Sequence, residues 1–598
     1  MTMSRSESSS THHVQQATMA LSALRDSLTA LSLPYVLQGT AAASDKATLI
    51  RDQLGDYVLP RLASLDAPLL AVVGGSTGAG KSTLVSSLVR RHVARASAIR
   101  PTTRRPLLLH APTDAAWFDT DRVLGSLSRM RVDADAPASP ATDHTPRELE
   151  LRACEGLPEG LAIVDAPDVD SVVEDNRDLA ATLLAGADLW IFVTTAARYA
   201  DAVPWEHLRA AAERHITAAI VLDRVPEGAQ SEVEADLRRR LTEAGLAEAP
   251  VFTIPETALD DDGFLPESCV SPLRQWLGAL ASDAAARQDV AHRSLTGAIG
   301  SLLAQSELLA VELASQEAEH AELRRAATSE HDDALERVIE ATEDGSMLHG
   351  EVLARWQEFV GTGDLFRSLE VQVGRVRDRV TSLLRGRPAP AKRVEQAIGS
   401  SLVELLVAES QRACLATERS WRRAGTSQQA LNRALAEVPS QTGLEVVAAA
   451  LVHDWQRQVL TLVRAEGSDK RLTARLLSLG VNGAGVVLMI LVFAHTGGLT
   501  GGEVGIAGGT AILAQRVLEA VFGDQAMRGM TKRAREDLGE RATALFANQA
   551  KCFTDALPLP IPSADTLREQ LQACQEAATS LRTLPAARGR RTAGRRAR

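Results

Sequence analysis

Three stretches of the 598-residue sequence predict an α/β domain followed by a long, mainly α-helical arm. The first is LLAVVGGSTGAGKSTLVSSLV (69–89), where an apolar run breaks into glycines and resumes as an amphipathic helix. The second is the alternation of apolar strand-like runs with helical patterns from Leu69 to about Leu280, as a mostly parallel sheet covered by helices requires. The third is a helical periodicity beyond Ala281, interrupted from Leu476 to Gly502 by a stretch without Asp, Glu, Lys or Arg.

Composition sets the bounds. With 45% hydrophobic and 24% charged residues the chain is globular, and only 3% aromatics among abundant Ala, Leu and Arg favours long helices. A net charge of -11 argues against a general nucleic-acid binder, so no nucleic-acid partner is expected. Cys154, Cys269, Cys414, Cys552 and Cys574 form no C-x-x-C and read as reduced thiols. Residues 1–15 are polar, without a secretory signal, and are expected to be a disordered N-terminus.

Residues 16–66 carry two helical patterns, Leu21, Leu24, Leu28, Leu31 and Leu49, Leu54, Val58, Leu62, expected as stalk or neck helices. The domain at 67–285 opens on G-x-x-x-x-G-K-S. Gly75, Ser76, Thr77, Gly78, Ala79 and Gly80 would turn their N–H groups toward a polyphosphate. Lys81 would reach the terminal phosphates, Ser82 would place a hydroxyl on Mg²⁺, and Thr83 would join them in binding the nucleotide at the start of a helix that runs to about Arg91. Strand candidates are LLAVVG, PLLLHA, GLAIVDAP, ADLWIFVTT, AAIVLD and PVFTI. The polar segment 131–148 reads as a surface insertion or disordered loop.

Thr102 and Thr103, about twenty residues past the phosphate loop, suit a switch segment that offers a hydroxyl to Mg²⁺ and closes over the γ-phosphate. Asp165, ending an apolar strand, is positioned to hold the Mg²⁺ shell through water. Asp168 stands where a D-x-x-G motif has glycine, and its carboxylate would repel a γ-phosphate unless screened by metal. The base-recognition segment offers Asp223, Arg224, Val225 and Pro226. Arg224 could stack on a base, Pro226 cannot make the guanine contact, and Asp223 or Glu227 could substitute. GTP against ATP is left open by these residues.

AVVGGSTGAGKSTLV followed by IRPTTRRPLLLH resembles the GTPase domain of the dynamin family, especially its bacterial dynamin-like members. The resemblance implies phosphate and Mg²⁺ roles for Lys81 and Ser82, the switch role for Thr103, and the third-motif role for Asp165. It covers about 220 residues at motif level. Thr77 and Gly78 stand where eukaryotic members carry a catalytic Gln-Ser, so that assignment does not transfer. The resemblance further implies a helical stalk (286–475), a hydrophobic membrane hairpin (476–523) and returning stalk helices (524–585).

The residues themselves fit that plan. Leu295, Ile299, Leu302, Leu309 and Leu313 form one apolar stripe, with breaks at 343–345, 361–364 and 385–392. A basic run from Arg367 to Arg393 reads as a solvated helix face or a lipid contact. The segment 476–494 has nearly the length of about 20 residues that crosses a ~30 Å hydrocarbon core. Basic residues on both flanks, Arg464 to Arg475 and Arg516 to Arg535, keep both ends cytoplasmic, and Gly501, Gly505 and Gly509 permit close helix contact. A buried hairpin in a soluble protein is the alternative. The tail 586–598 is basic and expected to be disordered.

The fold class is therefore an α/β P-loop nucleotide-binding domain plus a long mainly-α helical stalk with a membrane-embedded hairpin. The expected activity is Mg²⁺-dependent GTP hydrolysis by a protein that self-assembles, alone or with a related chain, on the cytoplasmic face of a lipid membrane. A membrane-anchored nucleotide-binding scaffold with little turnover is the alternative.

Overall fold

The computed structural model describes residues 3–93, 105–133, 148–169, 174–343, 350–361, 390–424, 428–466, 482–493, 514–519 and 521–583. The chain divides into two compact units. One comprises Met1–Leu33, Leu37–Ser315 and Pro560–Arg598, the other Pro34–Val36 and Gln316–Leu559.

The first unit holds an eight-stranded sheet: β1 (Leu69–Gly75), β2 (Leu107–His110), β3 (Ser128–Val132), β4 (Glu148–Ala153), β5 (Leu161–Asp165), β6 (Leu189–Thr195), β7 (Thr217–Val225) and β8 (Val251–Pro255). Their order is β3-β4-β2-β5-β1-β6-β7-β8. β1, β5 and β6 are buried along their whole length, which is why they read as unbroken apolar runs. Alternate residues of β1 feed two cores. Leu70 and Val72 join one face, while Leu69, Ala71 and Val73 join the other with Leu84 and Val85 of the following helix. The register Val73↔Asp165 and Gly75↔Val193 brings the carboxyl ends of β1, β5 and β6 to one edge, where ligands of open α/β sheets bind.

The sheet is mostly parallel, as expected: β2 runs antiparallel to β5, and every other neighbouring pair is parallel. One feature differs from expectation. The supposed insertion at 131–148 is bounded by two strands, β3 reaching Val132 and β4 starting at Glu148, and its middle, 134–147, lies outside the described residues. Charge hides both strands. Glu150 and Arg152, two apart and so on one face of β4, form a buried ion pair at 2.7 Å, and a hydropathy pattern takes such residues for solvated ones.

Helices Met3–Thr29, Thr40–Gln53 and Ala564–Arg582 pack with the first part of Ala284–Glu343 around Leu21, Leu24, Ile50, Leu302, Leu567 and Leu571. Residues 3–15, expected to be disordered, are the start of the first of these helices. The segment 524–585 is also divided: Asp524–Thr554 belongs to the second unit and Ala564–Arg582 to the first.

At the edge opposite the phosphate loop, Asp188 leads into β6. Its carboxylate, 2% exposed, accepts from the Tyr57 hydroxyl (3.0 Å), the Leu70 N–H (2.8 Å) and the Arg61 guanidinium, whose Nε is 3.0 Å away. Its backbone carbonyl accepts from Ser294 Oγ at 2.8 Å. Tyr57 follows the helix Thr40–Gln53 and Ser294 lies on Ala284–Glu343, so one aspartate ties two helices and β1 to β6.

The second unit is helical, built from the rest of Ala284–Glu343 with Glu351–Gly361, Pro390–Ala424, Gln428–Glu437, Gln441–Glu466 and Asp524–Thr554. Part of the uncharged stretch is described, as the helix Asn482–Val492. Ala484 and every residue from Val486 to Phe493 are at most 2% exposed. Trp455 packs tilted against Phe493, ring centroids 5.4 Å apart, and donates its indole N–H to the Ala534 carbonyl, while Arg535 Nε donates to the Val492 carbonyl at 2.8 Å. At about 1.5 Å per residue this helix measures roughly 16 Å, half of a hydrocarbon core. It is packed as a core helix of this unit. The remainder of the expected hairpin, 476–481 and 494–513 with Gly501, Gly505 and Gly509, lies outside the described residues, as do Arg367 to Arg387 and the tail 586–598. Arg393 pairs with Glu358 at 2.8 Å. Among the described residues one helix, Ala284–Glu343, is long and apolar enough to cross a membrane by length and composition, and 56% of its most apolar window is buried within the protein. All five cysteines are free.

Candidate functional site

β1 ends in a loop that only glycine can make at two points. Gly75 has φ +151°, and a Cβ there would lie 2.0 Å from the Val193 carbonyl oxygen of β6. Gly80, at φ +92°, caps the helix Lys81–Val89, and a Cβ there would meet Asp223 Oδ2 at 2.6 Å. The helix thus begins against β7, with its positive N-terminal end and the turning backbone of Ser76 to Ala79 facing the same edge. Thr83 lies in its first turn, its carbonyl accepting from Ser87 Oγ at 2.7 Å.

Lys81 is 5% exposed, and its Nζ donates to the carbonyls of Gly75 (3.0 Å) and Ser76 (3.1 Å) and to Asp168 Oδ1. Asp168, expected to repel a phosphate, instead serves as counter-ion to the phosphate-loop lysine. An incoming phosphate would have to displace it.

Ser82 Oγ donates to Asp165 Oδ2 at 2.7 Å, joining the two Mg²⁺ candidates directly. Asp165 is fully buried, and its Oδ1 finds no hydrogen-bond partner among the described residues, nor does the buried Ser76 Oγ. Burial pushes the Asp165 carboxyl up to about 6, with the Asp168 charge adding to the rise and the Ser82 hydrogen bond and Lys81 opposing it. A carboxylate oxygen buried without a partner beside a serine hydroxyl is a donor set that fits a hard divalent cation. Thr102 and Thr103 lie outside the described residues.

On the base side, Asp223 is 7% exposed and raised in pKa by burial, opposed by the Arg224 amide that donates to its Oδ1 at 2.9 Å. It sits beside Gly80, so the phosphate loop and the base segment are neighbours. The Arg224 side chain is 55% exposed, and its Nε is 3.7 Å from Asp223 Oδ2.

Sequence reasoning missed Arg198, in the loop after β6. Its Nη1 donates to the Thr77 carbonyl of the phosphate loop at 2.9 Å and its Nε to Asp201 Oδ2 at 2.9 Å. It stands well over a hundred positions along the chain from Thr77, and only the β1–β6 pairing brings them together.

Comparison with known proteins gives the site its family. The family model described as the dynamin family matches residues 70–222. A solved structure of an oligomerised bacterial dynamin pair, described as a mechanism for long-range sensing and tethering of membranes, is similar at 12% identity and TM-score 0.40, covering 91% of this chain and 95% of that one. Toc33 from Arabidopsis thaliana, in complex with Mg²⁺ and GMPPNP, is similar at 16% identity and TM-score 0.24, covering 42% of this chain and 94% of that one. No curated protein matches the sequence. With the phosphate loop, the buried Asp165 and the sheet edge that gathers them, residues 70–222 are a dynamin-family GTPase domain, the domain of a GTP hydrolase.

Proposed function

We propose that this chain hydrolyses GTP with Mg²⁺ and works as a self-assembling, membrane-associated dynamin-like GTPase at the cytoplasmic face of a membrane. The observation that carries the proposal is the Ser82–Asp165 pair with its unpartnered Oδ1, beside a Lys81 whose ammonium is already aimed along the phosphate loop. Ser82 Oγ and Asp165 are the residues that would hold Mg²⁺, Asp165 directly or through water, with Thr103 the expected third. Bound there, the ion would neutralise charge on the phosphate oxygens. The backbone N–H groups of Ser76 to Lys81 bind and orient the polyphosphate, and Lys81, released from Asp168, stabilises charge on its terminal oxygens. Exclusion of bulk water follows from burial, since Lys81 and Asp165 are almost fully enclosed.

Membrane association is supported by the family match and by the basic residues that flank the uncharged stretch Leu476–Gly502, although its described helix, Asn482–Val492, packs inside the helical unit. Assembly with identical or related chains is part of the same proposal. A second reading, a nucleotide-binding scaffold with little turnover, is favoured by Asp168 occupying Lys81 and by Pro226 where a guanine-binding carboxylate is expected. GTP and ATP hydrolysis measured with and without anionic liposomes, alongside Lys81→Ala, tests both. Lipid-stimulated GTP turnover lost in the variant supports the first. Nucleotide binding without turnover under every lipid condition replaces it with the second.

A further inference from the structure

We propose that Arg198 is an internal arginine of the hydrolytic site, supplying its guanidinium charge to the terminal phosphate of the bound nucleotide. The inference rests on the hydrolase reading above and deepens it by naming a residue that no motif supplies.

Three consecutive phosphate-loop carbonyls are held by two cations. Lys81 Nζ takes those of Gly75 and Ser76, and Arg198 Nη1 takes that of Thr77. A lysine in this loop reaches the terminal phosphates, so a second cation on the adjoining carbonyl stands at the same end of the ligand. The loop that delivers it is fixed on both sides. The amides of Arg198 and Tyr199 close on the Thr195 carbonyl at 3.0 and 2.9 Å. The Tyr199 hydroxyl donates to Asp236 at 3.0 Å, and its carbonyl accepts the Trp205 indole N–H at 2.7 Å. The Arg198 guanidinium also reaches the surface. Its side chain is 39% exposed, and its ion pair is with an equally exposed Asp201, a contact that exchanges readily for a phosphate oxygen.

In the reaction, the oxygen of a water molecule bonds to the γ-phosphorus. The bond from that phosphorus to the β,γ-bridging oxygen breaks, its electron pair leaving on the diphosphate, and the water proton passes to the released phosphate. Arg198 transfers no proton, because its guanidinium stays charged. Its contribution is charge at oxygens that become more negative along the path, as internal arginines provide in other nucleoside triphosphatases.

The test uses the full-length protein and Arg198→Ala and Arg198→Lys, measuring GTP turnover, GDP affinity, the complex of GDP with aluminium fluoride, and thermal melting. Expected for Arg198→Ala is a loss of about 10³-fold in kcat, unchanged GDP affinity and melting temperature, and no aluminium-fluoride complex. Arg198→Lys should recover part of the rate. A kcat within about threefold of wild type overturns the proposal, and so does a loss of rate accompanied by equal losses in GDP affinity and melting temperature, the signature of a brace for the loop. If the wild type binds GTP without turning it over, the hydrolase reading fails by itself. Arg198 is then judged by the preference for a non-hydrolysable GTP analogue over GDP, which Arg198→Ala must reduce, and an unchanged preference removes the phosphate contact.

Discussion

Asp165 and Asp188 are buried aspartates at opposite edges of one sheet, and their surroundings could hardly differ more. Asp188 is surrounded by donors: a guanidinium, a phenol and a backbone N–H converge on its two oxygens. Asp165 has one donor, Ser82 Oγ, for one oxygen and none among the described residues for the other, and its carboxyl is pushed up to about 6. A buried charge with all its partners in the chain holds the fold together, whereas one lacking them is held ready for something from outside. The same sheet thus has a finished edge, where helices are tied on, and an unfinished one, where the phosphate loop lies.

Substitutions can break that contrast. The largest effect is expected for Asp188→Ala, which strands the Arg61 guanidinium: about 3–5 kcal/mol of stability lost in denaturant titration. Stability within error of wild type would show that the network is dispensable. Next comes Asp165→Asn, which should weaken Mg²⁺-dependent nucleotide binding about 10–100-fold in calorimetric titration. Its melting temperature should equal or exceed that of wild type, and a collapse of the fold would make Asp165 a structural residue like Asp188. Asp168→Ala, which frees Lys81, should change nucleotide affinity in the opposite direction, raising it about tenfold, or about 1.4 kcal/mol. Weaker binding would mean that Asp168 assists the ligand rather than competing with it.

The smallest effect concerns His331 in the helical unit, 1% exposed, with Nδ1 against the Ala327 carbonyl and Nε2 3.8 Å from Cys414 Sγ. Burial lowers its pKa, the opposite of its tendency to protonate near 6.5 in an unfolded chain. As pH falls through that range the unfolded state takes up the proton and the native state resists it, so stability should fall. The drop in melting temperature between pH 7.5 and 5.5 should therefore be smaller in His331→Leu than in wild type, and an equal drop would exonerate the histidine.

The unfinished edge was legible in the sequence because its residues are local. Gly75 to Thr83 form one strand–loop–helix, and Asp165 ends an apolar run. The finished edge was not, since Asp188 reads as the start of a strand and its donors Tyr57 and Arg61 lie more than 120 positions earlier. Arg198 and the Asp168–Lys81 pair were missed for the same reason: chain-distant contacts leave no spacing to find. β3 and β4 were missed for another: charges stand where a strand pattern expects apolar residues, Arg129 and Arg131 on the partly exposed β3 and the buried Glu150–Arg152 pair on β4.

The helix Asn482–Val492 has a consequence for biosynthesis. Part of what covers it emerges from the ribosome only later, since Arg535, which bonds the Val492 carbonyl, follows 43 residues behind. At about 5–20 residues per second that interval is roughly 2–9 s. During those seconds the nascent chain presents an uncharged apolar segment to any chaperone, translocon or bilayer within reach. Whether the segment ends in the protein core or in lipid is then a contest between the speed of translation and the speed of capture.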